Sequence, residues 1–154
     1  MSKVQPIPPG YSAVLPYLVI KNAAAALDFY QNAFDAETLM CMQMPDGAVM
    51  HAEMKIGNAI FMLSEQSDAW CNKSPDMLGD SPVTLLIYVP DVDAFVARAA
   101  SAGASLTMPV ADQFWGDRSG CLQDPFGHRW MISTHIEDVS EQEMAKRAAQ
   151  LFGG

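Results

Sequence analysis

VLPYLVIKNAAAALDFYQNAF at residues 14–34 and VTLLIYVPDVDAFVARAASAG at residues 83–103 share few residues, yet they parse in the same way. Each opens with a short apolar run suited to a strand, and each then meets a residue that caps helices, Asn22 in the first and Asp91 in the second. A helical period follows. Leu27, Tyr30 and Phe34 fall on one face of the first helix, and Val92, Phe95, Val96 and Ala99 on one face of the second, which Gly103 closes.

The same order continues downstream of both. After the first helix come ETLMCMQM, AVMHAEMKI and AIFMLSE, three strand-like runs separated by the turn signals Pro45-Asp46-Gly47 and Gly57-Asn58. After the second come ASLTM and two further runs at residues 119–122 and 128–133, joined by DPFG. A shift of roughly 69 residues carries one unit onto the other, element for element, which makes an internal repeat. The fold class is therefore α+β: tandem βαβββ units at about residues 13–65 and 83–135, with a C-terminal helix at about 140–152. All of this is expected to form a single domain over residues 1–154. The polar, turn-rich stretch at residues 66–82 reads as a linker. The last helix opens with a capping box, Ser140 to Glu143, and carries Met144, Ala148 and Leu151 on one face for packing on the sheet or on a partner subunit.

Composition narrows the function. The chain has 154 residues, half of them hydrophobic, enough for one well-packed core. Its formal charge of −9 repels phosphate backbones and anionic membrane surfaces, so neither nucleic acid nor a membrane is expected as a partner. No apolar stretch approaches the roughly 20 residues that span a bilayer, and MSKVQPIPPGYS has no signal-like core, so a cytoplasmic location is expected. Cys41, Cys71 and Cys121 are too few and too scattered for a disulfide framework, and they read as reduced thiols packed like small hydrophobes.

The motifs YLVIKNAAAALDFYQNAFDAE, VPDVDAFVARAASAGA and DPFGHRW, set in tandem units, resemble the vicinal oxygen chelate superfamily, which includes glyoxalase I, extradiol dioxygenases and bleomycin-resistance proteins. HAEMKIGNAIFMLSE and WGDRSGCLQDPFGHRWMISTHIED are similar to its PhnB-like branch, and the likeness runs over about residues 13–140. The resemblance implies that each unit curls its mixed sheet into half of a cup and that two halves, within a chain or across a homodimer, enclose a small-molecule cavity. It also implies metal ligands at the opening strand and the final strand of each unit. At those positions stand Leu15 and Thr84, then Met62 and Met131, none of them a usual ligand for a hard divalent ion. No metal site and no cofactor are therefore expected. The function implied is a metal-independent binding protein that sequesters an aromatic or drug-like ligand. The alternative is a metal-dependent lyase, isomerase or dioxygenase whose groups lie elsewhere, among them His51 with Glu53 or Glu65.

The residues themselves offer several ligand contacts. Alternation puts His51, Glu53 and Lys55 on one face of their strand, either lining the cup or solvated. Trp115, with Asp117 and Arg118 nearby, either stacks on a flat ligand and supplies directional hydrogen bonds or plugs one end of the sheet. Asp124-Pro125-Phe126-Gly127 has turn chemistry and reads as structural. The candidate contacts are His51, Met62, Thr84, Trp115, Asp117, Arg118 and Met131. Met40, Met42 and Met54 join Met62 and Met131 as flexible thioethers for the cup or simply as core filling.

Overall fold

The structure is a computed structural model that describes residues 4–153. It divides into two compact units, residues 1–80 and 81–154, so the boundary falls inside the stretch read as a linker. That stretch is not featureless. It holds a helix, α2 (Pro75–Leu78), capped by Ser74 with Pro at its first turn, and an isolated bridge between Ser67 and Asn72.

The first unit runs β1 (Tyr17–Ile20), α1 (Ala23–Phe34), β2 (Glu37–Gln43), β3 (Val49–Ile56), β4 (Ala59–Glu65), then α2. Its four strands form a mixed sheet in the order β1-β4-β3-β2, with β1 parallel to β4 and the other pairs antiparallel. The alternation in β4 sends Phe61 and Leu63 to the α1 face, where Phe61 meets Tyr30 edge-on. Leu18, Ile20, Ala52 and Met54 join them, and Tyr30 and Phe34 from α1 complete this core. Each such side chain, fully buried, contributes about 1.5–3 kcal/mol. Met54 thus fills the helix-side core, one of the two roles expected for the methionines, while Met40, Met42 and Met62 lie on the opposite face.

The second unit repeats the plan: β5 (Thr84–Tyr88), α3 (Val92–Ser101), β6 (Ser105–Asp112), β7 (Asp117–Gln123), β8 (Arg129–His135), then α4 (Glu141–Phe152). Its sheet order is β5-β8-β7-β6, again with one parallel pair. Val92, Phe95, Val96 and Ala99 are the buried stripe of α3, as their period required. Ser140 caps α4 by accepting from the Glu143 backbone, while the Glu143 side chain turns to Arg147 instead of closing the box. No residue of α4 is fully buried, and Leu151 and Phe152 are exposed.

Helix entry is solved at the same address in both units by different chemistry. At the end of β4 the Glu65 carboxylate accepts from the backbone N–H groups of Asn22 and Ala23, at 2.9 and 2.8 Å. At the end of β8 the Thr134 hydroxyl accepts from Val92 N–H at 2.9 Å and donates to the Val89 carbonyl at 2.8 Å.

The DPFG turn is a hairpin. Gly127 has φ 89°, and its N–H donates to the Asp124 carbonyl at 3.1 Å. The Asp124 carboxylate accepts from the Phe126 and His128 backbones and from the Trp130 indole, each at 2.9 Å.

Candidate functional site

With helices covering one face of each sheet, chemistry is available on the other, here called the open face. In the first unit, cross-strand register lines up Tyr17, Met62, Glu53 and Met40 in one row on that face. One step along lie Val19, paired with Ser64, and Met42, paired with His51. Tyr17 O–H and His51 Nδ1 are 3.0 Å apart, with the two rings tilted at 5.6 Å between centroids. His51 Nε2 lies 3.4 Å from Glu53 Oε1. The other Glu53 oxygen accepts the hydroxyl of Tyr11, which arrives from the chain before β1. That bond to a carboxylate, more than burial, raises the Tyr11 phenol above its ordinary value. A neutral His51 taking the Tyr17 proton at Nδ1 carries its own on Nε2, facing Glu53. The carboxylate thereby fixes the tautomer.

In the second unit the corresponding row is Leu86, Met131, Cys121 and Met108, and the polar group lies elsewhere. Asp117 is 4 % exposed and accepts from Tyr88 O–H at 2.8 Å, Trp115 Nε1 at 3.2 Å and His135 Nδ1 at 2.7 Å. His135 Nε2 reaches on to Asp138 at 2.9 Å. Burial pushes the Asp117 carboxyl up, but the bonds from His135, Tyr88 and Trp115 together outweigh it, and the net shift is downward. His135 is raised, first by Asp138 and then by Asp117, and Tyr88 is raised by its bond to Asp117.

The expected contacts fall as follows. His51 and Met62 lie on the first open face, and Met131 and Thr84 on the second, where Thr84 pairs with Arg129 rather than with Met131. Trp115 and Asp117 are brought together, with the Trp115 ring also edge-on to Phe114. Arg118 points away from Asp117. Its guanidinium is held by Asp93 of α3 at 2.8 and 2.9 Å and by Asp112 at 2.9 Å. Glu65 is committed to the α1 entry, which leaves His51 with Glu53 as the acid–base pair. Tyr11, Tyr17, Ser64, Tyr88, His135 and Asp138 were not among the expected contacts. Of these, Tyr17 and Tyr88 carried a parity signal in the sequence, because both share a face with the family's ligand positions.

Cys41 and Cys71 are exposed, against the expectation of packed thiols, and only Cys121 is half-buried, where burial raises its thiol. The residues at the positions expected for metal ligands, Leu15, Thr84, Met62 and Met131, do not fit a hard divalent ion, and the residues that register sets against the last two, Tyr17 and Leu86, supply neither carboxylate nor imidazole. Among the described residues no group of three or more His, Cys, Asp or Glu is placed to hold a metal ion. Among them, too, no helix is long and apolar enough to cross a membrane.

Comparison with known proteins agrees with the architecture. An uncharacterized protein of Mycobacterium bovis is 41% identical over 135 residues, covering 86% of this chain and 89% of its own. The crystal structure of TioX from Micromonospora sp. ML1 superposes with a TM-score of 0.66 at 25% identity, covering 81% of this chain and 99% of that one. A Bacillus cereus PhnB protein, titled a putative 3-demethylubiquinone-9 3-methyltransferase, matches in fold with a TM-score of 0.62 at 18% identity, over 80% of this chain and 99% of its own. The family model of the Glyoxalase/Bleomycin resistance protein/Dioxygenase superfamily matches residues 12–132, and the chain belongs to that superfamily.

Proposed function

We propose that the protein binds a small aromatic or drug-like molecule on the open face of the first unit, without a metal. The row Tyr17, Met62, Glu53 and Met40 carries this reading. It offers one aromatic ring and two polarizable thioethers around a single carboxylate, a surface that adapts to a flat ligand and gives it one directional bond. Metal independence is supported by Leu15, Thr84, Met62 and Met131, which stand where the superfamily's metal enzymes need carboxylate or imidazole.

A second reading has its own observation. The imidazole of His51 accepts the Tyr17 hydroxyl at Nδ1 with Glu53 behind Nε2, which favours a metal-independent proton transfer in which His51 takes the Tyr17 proton as Tyr17 takes one from the bound molecule. In either case we expect a cytoplasmic homodimer. The edge strands β1 and β5 present Tyr17, Leu86 and Tyr88 at 48%, 48% and 61% exposure, and such edges call for cover. Sedimentation at micromolar concentration is expected to give twice the chain mass, and a monomer would count against the dimer.

Two measurements test the binding reading. Protein loaded with zinc, nickel, manganese and iron in turn and then desalted is expected to retain well under one equivalent, and stoichiometric retention would overturn metal independence. A thermal-shift panel of aromatic compounds is expected to give hits that His51→Ala weakens at least tenfold with unchanged melting of the free protein. Hits indifferent to His51 would move the site off this face.

A further inference from the structure

Glu53 is 9 % exposed and lies on a strand face, yet one of its oxygens is taken by a residue from outside the sheet. Tyr11 belongs to the stretch 4–16, which contains no helix or strand and in which residues 4–10 and 12–14 are exposed. Its backbone makes a local turn, Tyr11 N–H to the Pro8 carbonyl at 3.1 Å, and its phenol is the group that reaches the sheet. Besides the Pro16 carbonyl, which accepts from Met62 N–H at 2.9 Å where the chain enters β1, the exposed arm is thus joined to the sheet by one side chain, inserted on the face argued above to take the ligand.

A second observation concerns Ser64. It is 1 % exposed, and its hydroxyl has no hydrogen-bond partner, a costly state for a buried polar group. It stands two residues beyond Met62 on the same open face, where the register that pairs Ala52 with Leu63 continues to bring it level with His51. The equivalent position in the second unit is Ser133, whose hydroxyl is 2.7 Å from that of Ser119. In the first unit His51 replaces that serine and turns its nitrogens to Tyr17 and Glu53.

We infer that Glu53, His51 and Ser64 form a subsite for an aromatic hydroxyl, and that Tyr11 is an internal occupant which a phenolic ligand displaces. This rests on the reading of the first open face as the ligand face and names the chemistry taken there. An ionised Glu53 is acceptor-only, so its partner must donate. The donor already seated on it is a phenol. A phenol that donates to Glu53 keeps lone pairs on its oxygen, and Ser64 has a proton with nothing to receive it. A free ligand seated deeper than the tethered Tyr11 satisfies both. The tether also sets the affinity, because an occupied subsite reduces apparent binding by the fraction of time it stands open.

The test uses phenol and anisole, which share a ring but differ in the O–H, with the full chain and Tyr11→Ala. Tyr11→Ala removes only the tip of an exposed arm and is expected to bind phenol at least tenfold more tightly than the wild type. Anisole is expected to bind both proteins weakly and equally. In the wild type, phenol is expected to speed hydrogen exchange of the Tyr11 amide, whose turn bond to the Pro8 carbonyl opens as the arm is released, and anisole is not. Equal phenol affinity in wild type and Tyr11→Ala, or phenol and anisole bound alike, would overturn the subsite while leaving His51-dependent aromatic binding intact. If no aromatic compound binds this face in either protein, the ligand-face reading falls together with the subsite.

Discussion

The two units are the same scaffold used twice, and their open faces show which parts of it are free to vary. The row through the final strand reads Tyr17, Met62, Glu53, Met40 in the first unit and Leu86, Met131, Cys121, Met108 in the second. One level along, His51 and Ser64 stand where the second unit has the paired hydroxyls Ser119 and Ser133. The second unit keeps its charge a further step away, where Asp117 pairs across the ladder with His135. Identical topology therefore fixes where polar groups are possible, and sequence decides at which level they appear. In the first unit the carboxylate is answered by Tyr11 from an exposed arm outside the sheet, whereas in the second all three donors to Asp117 come from residues of, or adjoining, its own sheet.

Removing Asp117 should break the contrast most sharply. Asp117→Ala removes the buried acceptor shared by three donors, two of them on the half-exposed side chains of Tyr88 and His135 that water can reach, and is expected to cost about 2 kcal/mol, mostly as faster amide exchange in β7 and β8. Exchange in β3 and β4 should stay unchanged. Equal loss in both units would show that they do not respond independently.

The helix entries allow a matched pair. Glu65→Ala and Thr134→Ala each leave first-turn N–H groups without their acceptor, and each is expected to cost about 1 kcal/mol in urea unfolding. A loss of less than about 0.3 kcal/mol for either, on the same scale, would mean that solvent replaces that cap.

The smallest expected effect is a pH dependence confined to the second unit. His135 is raised in the folded chain, so its contribution is full below its ordinary value of 6.5 and is lost as pH rises through the higher folded value. Asp117 is lowered, so its contribution is full above its ordinary value of 3.8 and is lost as pH falls through the lower folded value. Between those two ordinary values both are present. The melting temperature is expected to decline gently above neutrality, and His135→Gln to flatten that decline. Parallel profiles for the two proteins would show that the bridge from Asp117 to Asp138 contributes nothing.

How much of this could be read beforehand depended on the range of the signal. The bounds of α1 follow from Asn22 and the period after it, and the buried face of α3 from Val92, Phe95, Val96 and Ala99, because caps and periods act within a few residues. The helix α2 escaped notice since four residues carry no period, although Ser74 and Pro75 marked its start. Strand parity already separated Met54 from His51, so its place in the helix-side core was legible. Tyr11 was not. Nothing local brings residue 11 to residue 53, and the Pro-rich arm has no periodicity to follow. The group around Asp117 was hidden for a related reason: Tyr88, Trp115 and His135 converge through sheet register, which spacing along the chain does not reveal.

The hairpin at DPFGHRW has a consequence for how kinship is interpreted. Its carboxylate, its glycine and its indole are all engaged with one another. Those bonds account for how the hairpin is built, so its presence in a chain speaks to the construction of the last two strands, whereas the ligand chemistry proposed for this protein sits elsewhere, at positions 11, 53 and 64.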